Sequence, residues 1–159
     1  MAGGELELTA RPVAPLTLTA GLSYIDARFT RTNPGSTITP GSKFVETPEI
    51  SATAVAEYEI ALRGDRVLRL SADYSYRSRT HKDPGNTPEL TQGGYGLANA
   101  RLTFVPGRGS WQLAIYGTNL ADKRYLSAAG ASVLSSIGLV EGQFGRPREW
   151  GATLQAGLR

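Results

Sequence analysis

The sequence predicts an all-β chain, an antiparallel up-and-down arrangement of about seven strands. Three observations predict it. Apolar and polar residues alternate with a period of two through seven segments. The connections between those segments alternate short and long. No apolar run approaches the ~20 residues of a membrane-spanning helix.

The elements follow in order. Glu5 to Arg11 alternates Leu6 and Leu8 with charged and Thr positions, and Pro12-Val13-Ala14-Pro15 makes a short turn. Leu16, Leu18, Ala20, Leu22 and Tyr24 then form one face of a strand against Thr17, Thr19, Gly21 and Ser23, because successive strand side chains point to opposite sides. A long Gly/Pro/Ser/Thr-rich loop runs roughly from Thr30 to Pro48. The next strand sets Ile50, Ala52, Ala54, Ala56, Tyr58 and Ile60 against Ser51, Thr53, Val55, Glu57 and Glu59. After a short turn at Arg63-Gly64-Asp65, Leu68, Leu70, Ala72, Tyr74 and Tyr76 oppose Arg69, Ser71, Asp73, Ser75, Arg77 and Arg79.

A second long loop spans His81 to Gly94. Tyr95 to Val105 places Ala98, Ala100, Leu102 and Phe104 opposite Asn99, Arg101 and Thr103. The turn Pro106-Gly107-Arg108-Gly109-Ser110 leads to Trp111 to Leu120, with Trp111, Leu113 and Ile115 on one face. A third long loop covers Ser127 to Arg146. Arg148 to Leu158 closes the series, with Trp150, Ala152, Leu154, Ala156 and Leu158 against Gly151, Thr153, Gln155 and Gly157.

Alternation alone does not say which face is out. A soluble sandwich turns its apolar face inward, whereas a porin-type wall turns it toward lipid and its polar face toward an aqueous lumen. Two features favour the wall. Tyr24, Tyr58, Tyr74, Tyr76, Phe104, Trp111 and Trp150 lie near strand ends on the apolar face, where an interfacial aromatic girdle belongs. Mid-strand apolar positions are mostly Ala and Leu, while a soluble core favours more Ile, Val and Phe. Seven strands cannot close as an all-antiparallel barrel, and an open edge in hydrocarbon leaves backbone groups unpaired at several kcal/mol each. The expectation is a partial arc of a larger transmembrane barrel.

The composition narrows the chemistry. The chain has 159 residues, no Cys, one His and a net charge of +3. Disulfides and thiolate chemistry are excluded, and no basic stripe interleaved with stacking aromatics suggests nucleic acid. A nucleophile–base pair, a Gly-x-Ser-x-Gly elbow, spaced carboxylates and a His/Asp/Glu metal set are all missing from the sequence, so no catalytic, metal or cofactor residue is assigned. Gly93-Gly94-Tyr95-Gly96 is not followed by a helix and does not read as a phosphate loop. A soluble glycan- or ligand-binding β-sandwich and a small outer-membrane barrel enzyme stand as the alternatives. Met1-Ala2-Gly3-Gly4-Glu5 shows no secretory signal, which for a barrel suggests that the front of a longer protein is missing.

Two C-terminal segments carry a family resemblance. Tyr116-Gly117-Thr118-Asn119-Leu120-Ala121-Asp122-Lys123-Arg124-Tyr125 resembles the penultimate-strand motif of TonB-dependent receptors, aromatic-Gly-x-Asn-Leu-x-Asp-x-x-Tyr. Gly145-Arg146-Pro147-Arg148-Glu149-Trp150 is similar to the Gly-x-Pro-Arg-aromatic opening of the family's last strand. Glu5 to Pro12, Glu46-Thr47-Pro48 and Leu70 to Arg79 also fit. Structural roles are expected of Gly117, Asn119, Leu120, Asp122, Tyr125, Gly145, Pro147 and Arg148. Gly117 would allow close approach, Asn119 and Asp122 would hydrogen-bond local backbone, Tyr125 would anchor at the membrane boundary, and Pro147 would sit where a missing donor is tolerated.

The resemblance implies a 22-stranded barrel with a plugged lumen, in the outer membrane of a Gram-negative bacterium. Such receptors import ferric siderophores, cobalamin or other scarce nutrients, powered through the inner-membrane TonB complex. Residues 1–159 would be the C-terminal part of the barrel domain, with the plug domain and N-terminal strands absent. The implied partners are outer-membrane lipid and lipopolysaccharide, the remaining strands and plug, and the TonB complex only through the N-terminal part; nucleic acid is not among them. Members usually end in an aromatic residue, whereas this chain stops at Arg159, so a lost Phe continuing Leu154, Ala156 and Leu158 is the expectation. Arg77, Arg79 and His81, with Lys82, mark a cationic loop mouth. It reads either as an outer-loop contact for an anionic iron chelate or lipopolysaccharide phosphate, or as an ordinary solvated loop. Glu57, Glu59, Asp73 and Arg69 read as cross-strand struts or as groups facing the plug.

Overall fold

The computed structural model describes residues 1–107, 110–130 and 140–157. The strands are β1 (Ala2–Val13), β2 (Leu16–Asp26), β3 (Ile50–Leu62), β4 (Arg66–Arg77), β5 (Thr80–His81), β6 (Thr91–Gln92), β7 (Tyr95–Val105), β8 (Trp111–Thr118), β9 (Leu126–Gly130), β10 (Glu141–Phe144) and β11 (Glu149–Ala156). Seven of them make one sheet in the order β1-β2-β3-β4-β7-β8-β11. Every neighbouring pair is antiparallel. Among the described residues β1 and β11 are unpaired edges, so the sheet is an open arc.

The register carries the two faces across the whole sheet. Leu18 stands opposite Ala56, Ala56 opposite Ala72, Ala72 opposite Ala100, Ala100 opposite Gly117, and Gly117 opposite Trp150. One step along, Glu57 meets Ser71, Ser71 meets Arg101, and Arg101 meets Tyr116. A slip of one residue anywhere would mix the faces. The short turns need little chain. Val13 pairs with Leu16 across Ala14-Pro15, and Leu62 pairs with Arg66 across a loop in which Gly64 and Asp65 take φ of 73° and 58°. Pro12 lies inside β1, where the sequence expected a turn. It is accommodated where the β1–β2 register shifts between Ala10 and Val13 and the ladder is interrupted.

The sheet is a single layer. No second sheet covers either face among the described residues. Leu18 is 39% exposed, Leu70 45% and Leu154 67%, so they share no dry centre. Leaving such side chains in water forgoes roughly 1.5–3 kcal/mol apiece relative to full burial. Aromatics bracket it, with Tyr24, Tyr76 and Trp150 toward the loop end and Tyr58, Phe104 and Trp111 toward the turn end. Tyr76, opposite Gly96, stands eight residues from Leu68, opposite Phe104. That is about 26 Å along the strand, comparable with the ~25 Å apolar band of outer-membrane barrels.

Ala27, Ser42, Leu90 and Asn119 are buried beyond the main strands, and Thr80, Thr103, Ala114 and Gly117 are buried within strands. Two of the expected loops contain structure that alternation did not reveal. β5 pairs with β6 around a 3₁₀ turn at Pro88–Leu90, and β9 pairs with β10. Strands of two to five residues are too short to show a period. β8 ends at Thr118 because Asn119 turns away with φ of 47°, and at the end of β4 Ser78 still bonds Ile50 in register, its N–H to Ile50 O and its hydroxyl accepting the Ile50 N–H. The expected positions Arg108, Gly109, Leu158 and Arg159, and residues 131–139 of the third loop, lie outside the described residues.

Candidate functional site at the loop end of the wall

Along the strands the polar face is braced across neighbours. Arg69 Nε donates to Glu59 Oε1 at 2.5 Å, Asn99 Nδ2 to Asp73 Oδ2 at 2.7 Å, and Gln112 Nε2 to Gln155 Oε1 at 2.6 Å. Arg101 lies 5.8 Å from the Tyr116 ring centroid. Each is a directly opposed or adjacent-strand contact, worth roughly 0.2–1 kcal/mol where exposed. Glu57 has no such partner among the described residues; it lines a cleft of about 520 Å³ with Arg11 and Arg69 near the short turns.

Above the strands the three long loops bond to one another. Glu46 N–H donates to His81 O, and Asn86 and Lys43 exchange two hydrogen bonds, Lys43 N to Asn86 Oδ1 at 2.6 Å and Asn86 Nδ2 to Lys43 O at 3.0 Å. The Lys82 side chain is only 4% exposed, donating to Glu46 Oε1 at 2.6 Å and reaching Ser127 O at 3.4 Å. Leu126 N–H donates to Gln92 Oε1 at 2.6 Å. Inside the first loop Phe29 packs on Phe44 with centroids 4.7 Å apart, and inside the second Asp83 accepts from Gly85, Thr87 N and Thr87 Oγ1. These side-chain bonds replace the ladder that the loops lack.

Beneath this layer, on the polar face, is a cleft of about 340 Å³. Arg77, Ser75, Tyr95 and Leu97 supply its strand side, Glu46, Lys82 and Ser127 its roof, and Tyr125 an end wall. Tyr125 stacks on Tyr95 with centroids 4.5 Å apart. The sequence expected Tyr125 at the membrane boundary; the structure corrects this, because Tyr95 pairs with Arg77 and so belongs to the polar face. The cleft therefore offers two stacked rings and one exposed guanidinium. Arg77 makes no ion pair among the described residues, whereas the buried Lys82 is neutralised by Glu46.

The other two predicted contacts differ. Arg79 is exposed. His81 is half-buried in β5, its Nδ1 2.9 Å from Thr91 Oγ1. The Thr91 hydroxyl donates to Thr87 O, so Nδ1 carries the proton in the His81–Thr91 bond. Burial holds the His81 pKa below its ordinary value, Arg79 and Lys43 push it the same way, and Asp83 opposes them. Lys43, in the first loop, is held above the usual lysine range chiefly by its hydrogen bond to Glu49. Among the described residues no three His, Asp or Glu side chains converge as a metal site.

The motif residues form a lock between the exit of β8 and the start of β11. Asn119 is buried, and its Nδ2 donates to Lys123 O at 2.9 Å and Arg146 O at 3.0 Å. Its Oδ1 accepts Lys123 N–H at 2.8 Å, while its own N–H donates to Asn99 Oδ1 at 2.9 Å. Asp122, also left-handed at φ 50°, accepts Arg148 N–H at 2.9 Å. A Cβ on Gly117 would come within 2.6 Å of Leu120 Cδ2 and Trp150 Cζ3, so glycine is what lets these two cover the strand. Gly145 has the Tyr125 ring against the place a side chain would occupy. Pro147 lies two residues before β11, outside the ladder, and Arg148 follows it.

Comparison with known proteins adds to this geometry. Residues 1–120 match the family model described as TonB dependent receptor-like, beta-barrel. The ferric yersiniabactin uptake receptor of Yersinia pestis superposes with a TM-score of 0.79 at 21% identity, over 96% of this chain and 22% of the receptor. The ferric preacinetobactin receptor of Acinetobacter baumannii gives 0.73 at 21% identity, over 96% and 21%. A siderophore receptor from Acinetobacter baumannii gives 0.70 at 22% identity, over 96% and 20%. At these identities the likeness is one of fold, and the chain spans about a fifth of the length of each.

Proposed function

The chain belongs to the TonB-dependent receptor-like β-barrel family, and on that premise we propose that residues 1–159 are the C-terminal part of the barrel domain of an outer-membrane receptor that takes up a ferric siderophore or a similar scarce nutrient. The observation that carries the membrane part is the single-layer sheet with Leu18, Leu70 and Leu154 bare on one face and charged struts on the other. A soluble β-sandwich would need a second layer over those leucines. The reading is transport and not catalysis. The nutrient part is supported by the solved receptors of similar fold, two of which are described as receptors for different ferric siderophores.

In this reading the polar face lines the lumen, the short turns lie in the periplasm and the loop layer faces outward in a Gram-negative cell. The remaining strands pair with β1 and β11, the plug fills the lumen, and the TonB complex acts through the N-terminal part. Arg77 draws an anionic chelate toward the Tyr95–Tyr125 pair, and Arg79 and His81 stand above it as outer-loop contacts. The test uses the full-length receptor, expressed in a strain deleted for its own siderophore receptors and grown under iron limitation with a panel of ferric chelates. At least one chelate should restore growth, and Arg77→Ala should raise the concentration it requires. Growth restored by none, with the receptor folded in the outer membrane, would refute iron-chelate uptake.

A further inference from the structure

We infer that Glu46 is a stand-in anion: its carboxylate holds on Lys82 the place that an anionic group of the cargo takes, so that the pair selects cargo by charge. This rests on the reading of the cleft beneath the loop layer as a cargo contact, and adds to it the residues that discriminate.

Among the described residues the charged groups lining the cleft are Arg77, Lys82 and Glu46, two cations and one carboxylate. Asp83, next to Lys82 in sequence, does not line it; its carboxylate accepts from Gly85 N–H, Thr87 N–H and the Thr87 hydroxyl. Glu46 neutralises Lys82, and Arg77 is left without an ion pair among the described residues. The cleft therefore carries an excess of positive charge, half of it covered by a carboxylate of the chain itself.

The two partners of the pair are unlike. The Lys82 side chain is 4% exposed and that of Glu46 is 46% exposed. Lys82 Nζ lies between Glu46 Oε1 at 2.6 Å and Ser127 O at 3.4 Å. A buried ammonium stripped of its carboxylate is heavily penalised, so Glu46 leaves only when another anion takes its place. Glu46 itself is free to go. Its carboxylate accepts from no donor but Lys82 among the described residues, and water already reaches it. Its main chain stays fixed at φ 53° by the bond from its N–H to His81 O. Rotation about its side-chain bonds therefore moves the carboxylate into water without displacing a loop. An anion arriving on Lys82 shares the cleft with Arg77, so a multiply charged chelate meets both cations where Glu46 met one. A neutral solute offers Lys82 nothing in exchange, and the difference between the two affinities is the selectivity.

The test uses the full-length receptor in detergent with two hexadentate iron(III) complexes, a trianionic tris-catecholate and a neutral tris-hydroxamate. Binding is read by equilibrium dialysis of radioactive iron. Glu46→Gln should tighten the tris-catecholate about tenfold, because a like charge leaves the seat, and should leave the tris-hydroxamate unchanged. Lys82→Gln should weaken the tris-catecholate, and adding Glu46→Gln to it should then gain nothing. A wild-type measurement stands beside the variants, since removing one partner of a buried pair can impair folding. In the free receptor a carbodiimide should join the Glu46 carboxylate to the Lys82 amine with loss of water, read by peptide mass spectrometry. The tris-catecholate should protect against this coupling and the tris-hydroxamate should not. Tris-catecholate binding that Glu46→Gln weakens or leaves unchanged would overturn the exchange. No coupling in the free receptor, or no protection by the bound tris-catecholate, would overturn it too, and each of these results leaves the chelate reading intact. Binding of neither complex, by wild type or by Glu46→Gln, would overturn both.

Discussion

Asn119→Ala should be among the most damaging single substitutions in the described loop layer. The side chain is 4% exposed and makes three hydrogen bonds to main-chain atoms of residues 123 and 146. Its removal strands the Lys123 N–H of a part-buried bond, at roughly 1–3 kcal/mol for a donor left unpaired. The carbonyls of Lys123 and Arg146 lose a donor as well, a smaller penalty because each oxygen has two lone pairs and water reaches the loops. Alanine must also hold φ near 47°, costing about another 1 kcal/mol. The total is about 2–4 kcal/mol. Asn119→Gly forfeits the same bonds without the left-handed penalty, so it should be about 1 kcal/mol less destabilised than the alanine variant. Urea unfolding of the full-length receptor in lipid vesicles, followed by gel mobility, measures both. An alanine variant within about 0.5 kcal/mol of wild type, or a glycine variant less stable than alanine, would refute the lock.

Three further outcomes follow from the same geometry. Ala72→Arg, mid-strand on the apolar face, should cost about 2–4 kcal/mol in vesicles, while Thr53→Arg on the polar face, between Gly21 and Ser75, should leave folding nearly unchanged; equal effects would reverse the orientation. Gly117→Val should displace Trp150 and Leu120, lowering stability by about 1–3 kcal/mol and shifting tryptophan emission in a Trp111→Phe background. The His81 pKa is depressed in the folded protein, so the unfolded or undocked loop takes up the proton first. Docking is then fully stable above the ordinary histidine value near 6.5 and weakens as pH falls below it toward the lower folded value. Protection factors in residues 80–92, corrected for the intrinsic exchange rate at each pH, should fall at acidic pH in wild type and lose that pH dependence in His81→Gln.

Much of the wall was legible in the residues. Leu70, Ala72, Tyr74 and Tyr76 against Arg69, Asp73 and Arg77 name a strand and its two faces, and the register keeps them so. The loop layer was not legible in this way. Lys82 reads in sequence as one more solvated cation, yet it is buried against Glu46, which lies 36 residues away. Gln92 carries no signal of its contact with Leu126. Tyr125 was misplaced because its partner Tyr95 lies on the polar face, a fact contained in the pairing of β4 with β7 and not in the motif.

Period, turn chemistry and the two C-terminal motifs were determined by the sequence by itself, because side-chain alternation and left-handed turn residues are local properties of the backbone. The tertiary structure alone decided which distant groups meet. It bound the three loops into one layer and gathered the main chains of Lys123, Arg146 and Arg148 around the Asn119 lock. Such contacts depend on where antiparallel strands bring remote segments side by side. No local pattern encodes that position.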